Sequence, residues 1–232
     1  MSITDPGAPF ADRLEREFNG VRIAWSPDIH GLLPIEQEVV DVVSRSRSVL
    51  EALGCRLESA CPDFDGANEA FMSLRGFLFD LQYGELLEGN RDKLKGAVIW
   101  NIGEGRRLSG SDLARAEQQR SALFRRMNAF FTEFEFLVMP VSQVLPFSID
   151  EEYPRKIGET VMRNYMDWMR SCYYISATGH PAISVPCGFS SGGLPVGMQI
   201  VGRYRDERGV LQLAHAFEQA TGHWRQHPGV AR

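Results

Sequence analysis

The sequence predicts an α/β fold, a mixed β-sheet flanked by helices, and three observations carry that prediction. Val21 to Ala60 reads strand, helix, strand within about 40 residues, the size of a crossover unit and the simplest source of a parallel strand pair. Two Ile- and Val-rich runs, Ala182 to Pro186 and Val196 to Val201, flank the Gly- and Ser-rich segment Gly188 to Gly193 and predict two further strands joined by a loop. Between these regions the apolar residues recur at helical spacing.

In chain order, the first strand is Val21 to Trp25, ended by the turn Ser26-Pro27-Asp28. From Glu36, Val39, Val42, Val43, Val49, Leu50 and Leu53 step by three and four, so one helix is expected up to Gly54. Cys55 to Ala60 is the second strand, stopped at Cys61-Pro62. Residues 67 to 88 predict a helix with Phe71, Leu74, Leu78 and Leu81 on one stripe; Gly76 and Gly84 weaken it by about 1 kcal/mol each. Glu88 to Gly110 reads as a mostly polar connection. Ser109, with Asp112 three places on, predicts a capping box for a helix whose apolar face runs Leu113, Ala116, Leu123, Met127, Phe130 and Phe134. Phe136 to Met139 is the third strand, ended by Pro140, and Val141 to Tyr153 a loop. Helical spacing resumes at Ile157, Val161, Tyr165, Trp168, Met169 and Cys172, with Gly179 as a left-handed cap before the strand pair. The last helix begins near Asp206, buries Val210, Leu213, Ala214 and Phe217, and ends at Gly222. One domain over 1–232 is expected, with 1–19 and 223–232 loose.

Composition narrows the function. The 232 residues are 44% hydrophobic and 24% charged, ordinary for a globular protein able to bury a core. A net charge of −5 with no basic run argues against a nucleic-acid surface. No stretch approaches a membrane span, and Met1 to Phe10 lacks the basic-then-apolar pattern of a secretory signal, so a cytoplasmic protein is expected. Cys55, Cys61, Cys172 and Cys187 have no ligand or redox spacing and are expected as free thiols. The five histidines are scattered, so no metal is expected, and Gly103-Glu104-Gly105 is too little of a dinucleotide fingerprint to imply a cofactor.

Two constellations invite chemistry. Gly188-Phe189-Ser190-Ser191-Gly192 fits the Gly-x-Ser-x-Gly elbow, but an elbow needs a strand, a tight turn and then a helix, whereas here a strand follows; the segment reads as a loop between strands. Asp150, Glu151 and Glu152 read as a hydrated turn. The aromatic group Tyr165, Trp168, Tyr173 and Tyr174 either packs in the core or walls a pocket.

The segment 179–202 contains Gly-His-Pro-Ala-Ile-Ser-Val-Pro-Cys-Gly followed by Gly-Leu-Pro-Val-Gly-Met-Gln-Ile-Val-Gly, and in these two spaced runs the chain resembles the C-terminal part of the amidase signature family, including the A subunit of glutamyl-tRNA amidotransferase. Gly20 to Trp25, Leu50 to Gly54 and Phe136 to Pro140 resemble further segments of it; Glu135 or Phe136 stands where the family usually has Asp. The resemblance implies the C-terminal portion of the amidase signature fold. It also implies hydrolysis of an amide to a carboxylate and ammonia or an amine, by a serine, a second serine and a lysine base. Those three belong to the family's N-terminal part, and the Ser-Ser-Gly-Gly here, which follows a strand, is not the signature run. No catalytic residue is therefore assigned, and Lys93, Lys95 and Lys156 read as solvated. The expectation is a chain that completes the sheet and substrate pocket, inactive alone; its strands, cut from a larger sheet, should leave an edge or face bare and favour self-association. The resemblance places Trp168, Met169, Tyr173 and Ile175 as substrate-pocket candidates. A non-catalytic binding or regulatory subunit is the alternative, and a hydrolase using Ser190 or Cys187 a weaker one.

Overall fold

A strand that feeds a helix and returns beside itself needs a crossover, and the first 60 residues supply one. The structure, a computed structural model, describes residues 7–226. In chain order its elements are β1 (Arg22–Trp25), α1 (Gln37–Arg45), α2 (Arg47–Ala52), β2 (Arg56–Ser59), α3 (Ala67–Tyr83), the single turn α4 (Leu87–Asn90), α5 (Gly96–Arg107), α6 (Gly110–Phe130), β3 (Phe136–Pro140), the two-residue strands β4 (Lys156–Ile157) and β5 (Thr160–Val161), α7 (Arg170–Thr178), β6 (Ala182–Phe189), β7 (Pro195–Gly202) and α8 (Glu207–Thr221). β1 pairs in parallel with β2 and β3; β7 runs antiparallel to β3 and to β6, giving the mixed order β2-β1-β3-β7-β6.

Side-chain alternation along the strands divides the core in two. Ile23, Trp25, Phe136, Val138, Met198 and Ile200 face α1, α2 and α8, where Val42, Leu50, Leu213 and Phe217 are fully buried. Ala24, Leu137, Met139 and Val201 face the other side, covered by Leu123 and Met127 of α6 and Tyr173 and Ile175 of α7. β3, buried at every residue, is the covered centre, which is why it reads as an unbroken apolar run. The capping box forms: the Asp112 N–H donates to Ser109 Oγ at 3.2 Å and the Ser109 N–H to Asp112 Oδ2 at 2.9 Å. Asp206 caps α8 through the Gly209 N–H, and Gly179 ends α7 in the left-handed region at φ 72°.

The structure corrects several sequence expectations. The single helix from Glu36 breaks at Ser46 into α1 and α2. The polar connection 88–110 contains the helix α5. It forms because its buried Gly105 lets the backbone approach Gly76 of α3: a Cβ on Gly105 would lie 2.1 Å from the Gly76 carbonyl oxygen. Gly76 is thus the contact point of two helices, not a flaw in one. The stripe expected to bury α3 is largely bare at its C-terminal end, with Leu78 49% and Leu81 69% exposed. The helix expected from Ile157 to Cys172 is instead the β4–β5 hairpin, turned by Gly158 at φ 55°, followed by a helix starting only at Arg170. Between them Asn164 accepts from the Met166 N–H and Asp167 from the Arg163 N–H, side-chain bonds that replace helical ones. The loop after Pro186 is shorter than expected, since β6 continues to Phe189 through a bulge between Pro186 and Gly188.

Residues 1–6 and 227–232 of the two terminal stretches lie outside the described residues. Phe18 is buried against Phe136, and His223–Arg225 form a 3-10 turn. Among the described residues no helix is long and apolar enough to cross a membrane.

Candidate active-site wall

The loop leaving β3 turns over the β6–β7 pair because two buried glutamines hold it. Gln143 donates to the Pro34 carbonyl at 2.9 Å and accepts from the Arg170 and Ser171 N–H groups at 2.7 and 3.3 Å, tying the loop to the start of α7. Gln199 of β7 donates to the carbonyls of Pro140 and Ser171, both at 2.9 Å. Both glutamines are at most 4% exposed, so each amide has exchanged water for a protein partner. Sequence reading passed over both glutamines; the signal available was an amide inside the buried run Met198-Gln199-Ile200.

Between the bracketed loop and the sheet lies an open cleft of about 430 Å³, lined by Val144, Leu145, Phe147, Trp168, Ser184, Pro186 and Gly197. Trp168 forms its aromatic wall, edge-on to Phe147 with ring centroids 5.3 Å apart. Its indole Nε1 is buried without a hydrogen-bond partner among the described residues.

Only Trp168 of the four pocket candidates faces this cleft. Tyr173 and Ile175 are buried in the second core, where Tyr173 stacks on Phe71 at 4.4 Å and donates its hydroxyl to Asn68 Oδ1 at 2.6 Å; Met169 packs against the same cluster. Beside them a groove of about 330 Å³ runs between α3, α6 and α7, lined by Phe71, Leu74, Leu78, Arg120, Ser176 and Ala177. The aromatic segment therefore has two faces, a cleft on one and packed core on the other. Tyr165 meets Trp168 edge-on, and Tyr174 packs on Phe64.

The turn carrying Trp168 is fixed by an ionic cluster. Asp167, 5% exposed, receives the Arg163 N–H and Nε, both at 3.0 Å, and the Arg170 guanidinium. Burial pushes its carboxyl up, but the bonds from Arg163 and Arg170 outweigh it and bring the pKa down to about 2. His180, at the entry to β6, is packed among Phe124, Phe131 and Tyr204. Its Nδ1 lies 3.2 Å from the Thr178 carbonyl, an arrangement that requires the proton on Nδ1. Burial lowers its pKa against that bond, favouring the neutral ring.

Cys187 and Ser190, the two alternative nucleophiles, lie near the end of β6 and in the loop after it. Ser190 sits in the β6–β7 hairpin loop, its Oγ accepting from the Leu194 N–H at 3.0 Å, with a strand rather than a helix following. Burial pushes the Cys187 thiol up to about 12, which leaves it protonated at neutral pH. Lys93, Lys95 and Lys156 are exposed, and among the described residues no hydrogen bond joins a lysine to a serine. No group of three His, Cys, Asp or Glu side chains among the described residues is placed to hold a metal.

The Amidase family model matches residues 2–211. The chain is 28% identical over 222 residues to an acylamidase of Rhodococcus erythropolis, covering 94% of this chain and 46% of that protein. It is 38% identical over 241 residues to the A subunit of the glutamyl-tRNA(Gln) amidotransferase of Thermodesulfovibrio yellowstonii, covering 91% of this chain and 47% of that one. The crystal structure of a bacterial aryl acylamidase of the amidase signature family superimposes with a TM-score of 0.80 at 24% identity, over 91% of this chain and 46% of its own. The chain thus spans about half the length of the relatives it matches.

Proposed function

The chain belongs to the amidase family, and we propose that it supplies the C-terminal half of an amide hydrolase, completing the sheet and one wall of the substrate pocket for a half that carries the serines and the lysine. The reaction is the family's: water divides an amide into a carboxylate and ammonia or an amine. The observation that carries this reading is the Trp168 cleft. It is apolar, open on one side and floored by β6, the strand of the Gly-His-Pro-Ala run, while among the described residues no serine lining it is hydrogen-bonded to a lysine. By themselves these residues bind without turning over.

With Phe147 edge-on beside it, Trp168 forms the aromatic wall of the cleft and selects acyl groups by shape. Tyr173, Met169 and Ile175 act behind it by fixing the helix on which the wall is built. The test is a panel of aliphatic and aryl amides at high protein concentration. The isolated chain should release no amine, and turnover abolished by Ser190→Ala would replace this reading with that of a self-sufficient hydrolase.

A further inference from the structure

On the side of the sheet covered by α1, α2 and α8, two polar atoms that burial should have paired face one cavity. The cavity, about 350 Å³, is lined by Arg45, Ser46 and Val49 where α1 breaks into α2, by Phe189 at the end of β6, and by Thr221 and His223 at and just past the end of α8. Ser46 is 2% exposed, and its Oγ has no hydrogen-bond partner among the described residues; the buried Nδ1 of His223 has none either. Native folds pair nearly all such groups, so two on one cavity point to a ligand that fills it.

The lining offers donors, and the acceptors around it are already engaged. Of the two arginines that flank the helix break, Arg47 pairs with Glu51 at 2.8 Å, whereas Arg45 forms no ion pair among the described residues and gives one guanidinium nitrogen to the Phe189 carbonyl at 3.2 Å. Glu38 feels the Arg45 charge, but its carboxylate accepts from the Ser191 N–H and does not line the cavity. Cys187, beside Ser46, donates its thiol to the Val196 carbonyl at 3.3 Å. At the end of α8 the Phe217 carbonyl accepts from the Thr221 hydroxyl at 3.0 Å and the Glu218 carbonyl from the Gly222 N–H at 2.8 Å. What remains is a guanidinium, a hydroxyl and an imidazole nitrogen able to donate, drawn from three parts of the chain. Val49 and the Phe189 ring, edge-on to His223 at 6.1 Å, supply an apolar wall. A planar guanidinium matches a carboxylate through two parallel bonds, and the wall suits a hydrocarbon or aryl body behind it.

We propose that the cavity between Arg45, Ser46 and His223 binds a small monocarboxylate with an apolar body, its oxygens held by the Arg45 guanidinium, the Ser46 hydroxyl and His223 Nδ1, its body against Val49 and Phe189. A volume of about 350 Å³ is at the low end for ligand pockets, which limits the body to a single ring or a short chain. The site shares no lining residue with the Trp168 cleft and stands whether or not the chain serves an amidase.

The test is titration of the full chain with benzoate, followed by NMR at the Ser46 amide and the His223 ring. Benzoate should shift both signals saturably. Benzamide, of the same shape without the charge, and inorganic phosphate, charged without the apolar body, should each bind about tenfold or more weakly. Arg45→Gln replaces an exposed side chain, so the variant should melt as the parent does and bind benzoate about tenfold or more weakly. Should that variant unfold, His223→Phe, which keeps a ring against Phe189 and loses the nitrogen, carries the same expectation. The absence of a saturable shift, shifts confined to the lining of the Trp168 cleft, benzamide binding as tightly as benzoate, phosphate binding more tightly than benzoate, or full binding by either folded variant each overturns the proposal.

Discussion

Replacing Gly105 by alanine sets two effects of opposite sign against each other. Helix propensity alone favours alanine by about 1 kcal/mol in a helix interior. Against it stands geometry: the new Cβ would lie 2.1 Å from the Gly76 carbonyl oxygen, 2.7 Å from its carbon and 2.9 Å from Asp80 Cβ. Carbon atoms rest about 3.5–4.0 Å apart, so α3 and α5 would have to separate by roughly 1 Å, and the obstacle is backbone that cannot rotate away. The Arg75–Asn101 bond at 3.1 Å and the Arg106–Asp80 pair at 2.9 Å span the same interface and would be stretched with it. Overpacking of this kind costs about 1–3 kcal/mol after relaxation. Since the close approach is backbone on backbone, we take the upper part of that range, and the net loss is about 1–2 kcal/mol. For a chain of this size that lowers Tm by about 2–8 °C. Gly103 of the same helix has nothing within 4 Å of its Cβ position, so Gly103→Ala should gain stability. Thermal unfolding followed by circular dichroism compares the two directly. If Gly105→Ala raises Tm as much as Gly103→Ala does, the helix contact is not what makes glycine necessary there.

Asp167 is ordinarily ionised near 3.8 and in the fold near 2, so its contribution is present above 3.8 and is lost as the pH falls from 3.8 towards 2. Asp167→Asn should cost about 2 kcal/mol in urea unfolding at pH 6, with the gap from the parent narrowing by pH 2.5; a gap of constant size would remove ionisation as the cause. Cys187 should resist alkylation at pH 8 in the native chain and react once it is unfolded, read by mass spectrometry; rapid native labelling would contradict its burial. In a complemented enzyme, Trp168→Ala should shift preference towards bulkier amides by about tenfold in kcat/KM, in line with 1–3 kcal/mol for pocket shape, and an unchanged profile would take Trp168 out of the site.

Local signals were legible in the sequence wherever one residue type has one physical use. Ser109 and Asp112 mark a helix start, Gly179 and Gly222 mark left-handed ends, and the strands β1, β3, β6 and β7 were placed within a few residues. The family resemblance was legible too, through two spaced runs that fall on β6 and β7. What the sequence left open depends on partners distant in the chain. Helix α5 exists because Gly105 meets Gly76, and glycine by itself argues against a helix. Helical spacing from Ile157 to Cys172 lost to Gly158 and to the side-chain bonds of Asn164 and Asp167. Trp168 parted from Tyr173 and Ile175 because a 3-10 turn precedes α7 and sends the indole to the opposite side. The cavity shared by Arg45, Ser46 and His223 could not be read from those residues at all. It exists where the helix break at Ser46, the end of β6 and the end of α8 meet, and that meeting is set by how the helices pack on the assembled sheet.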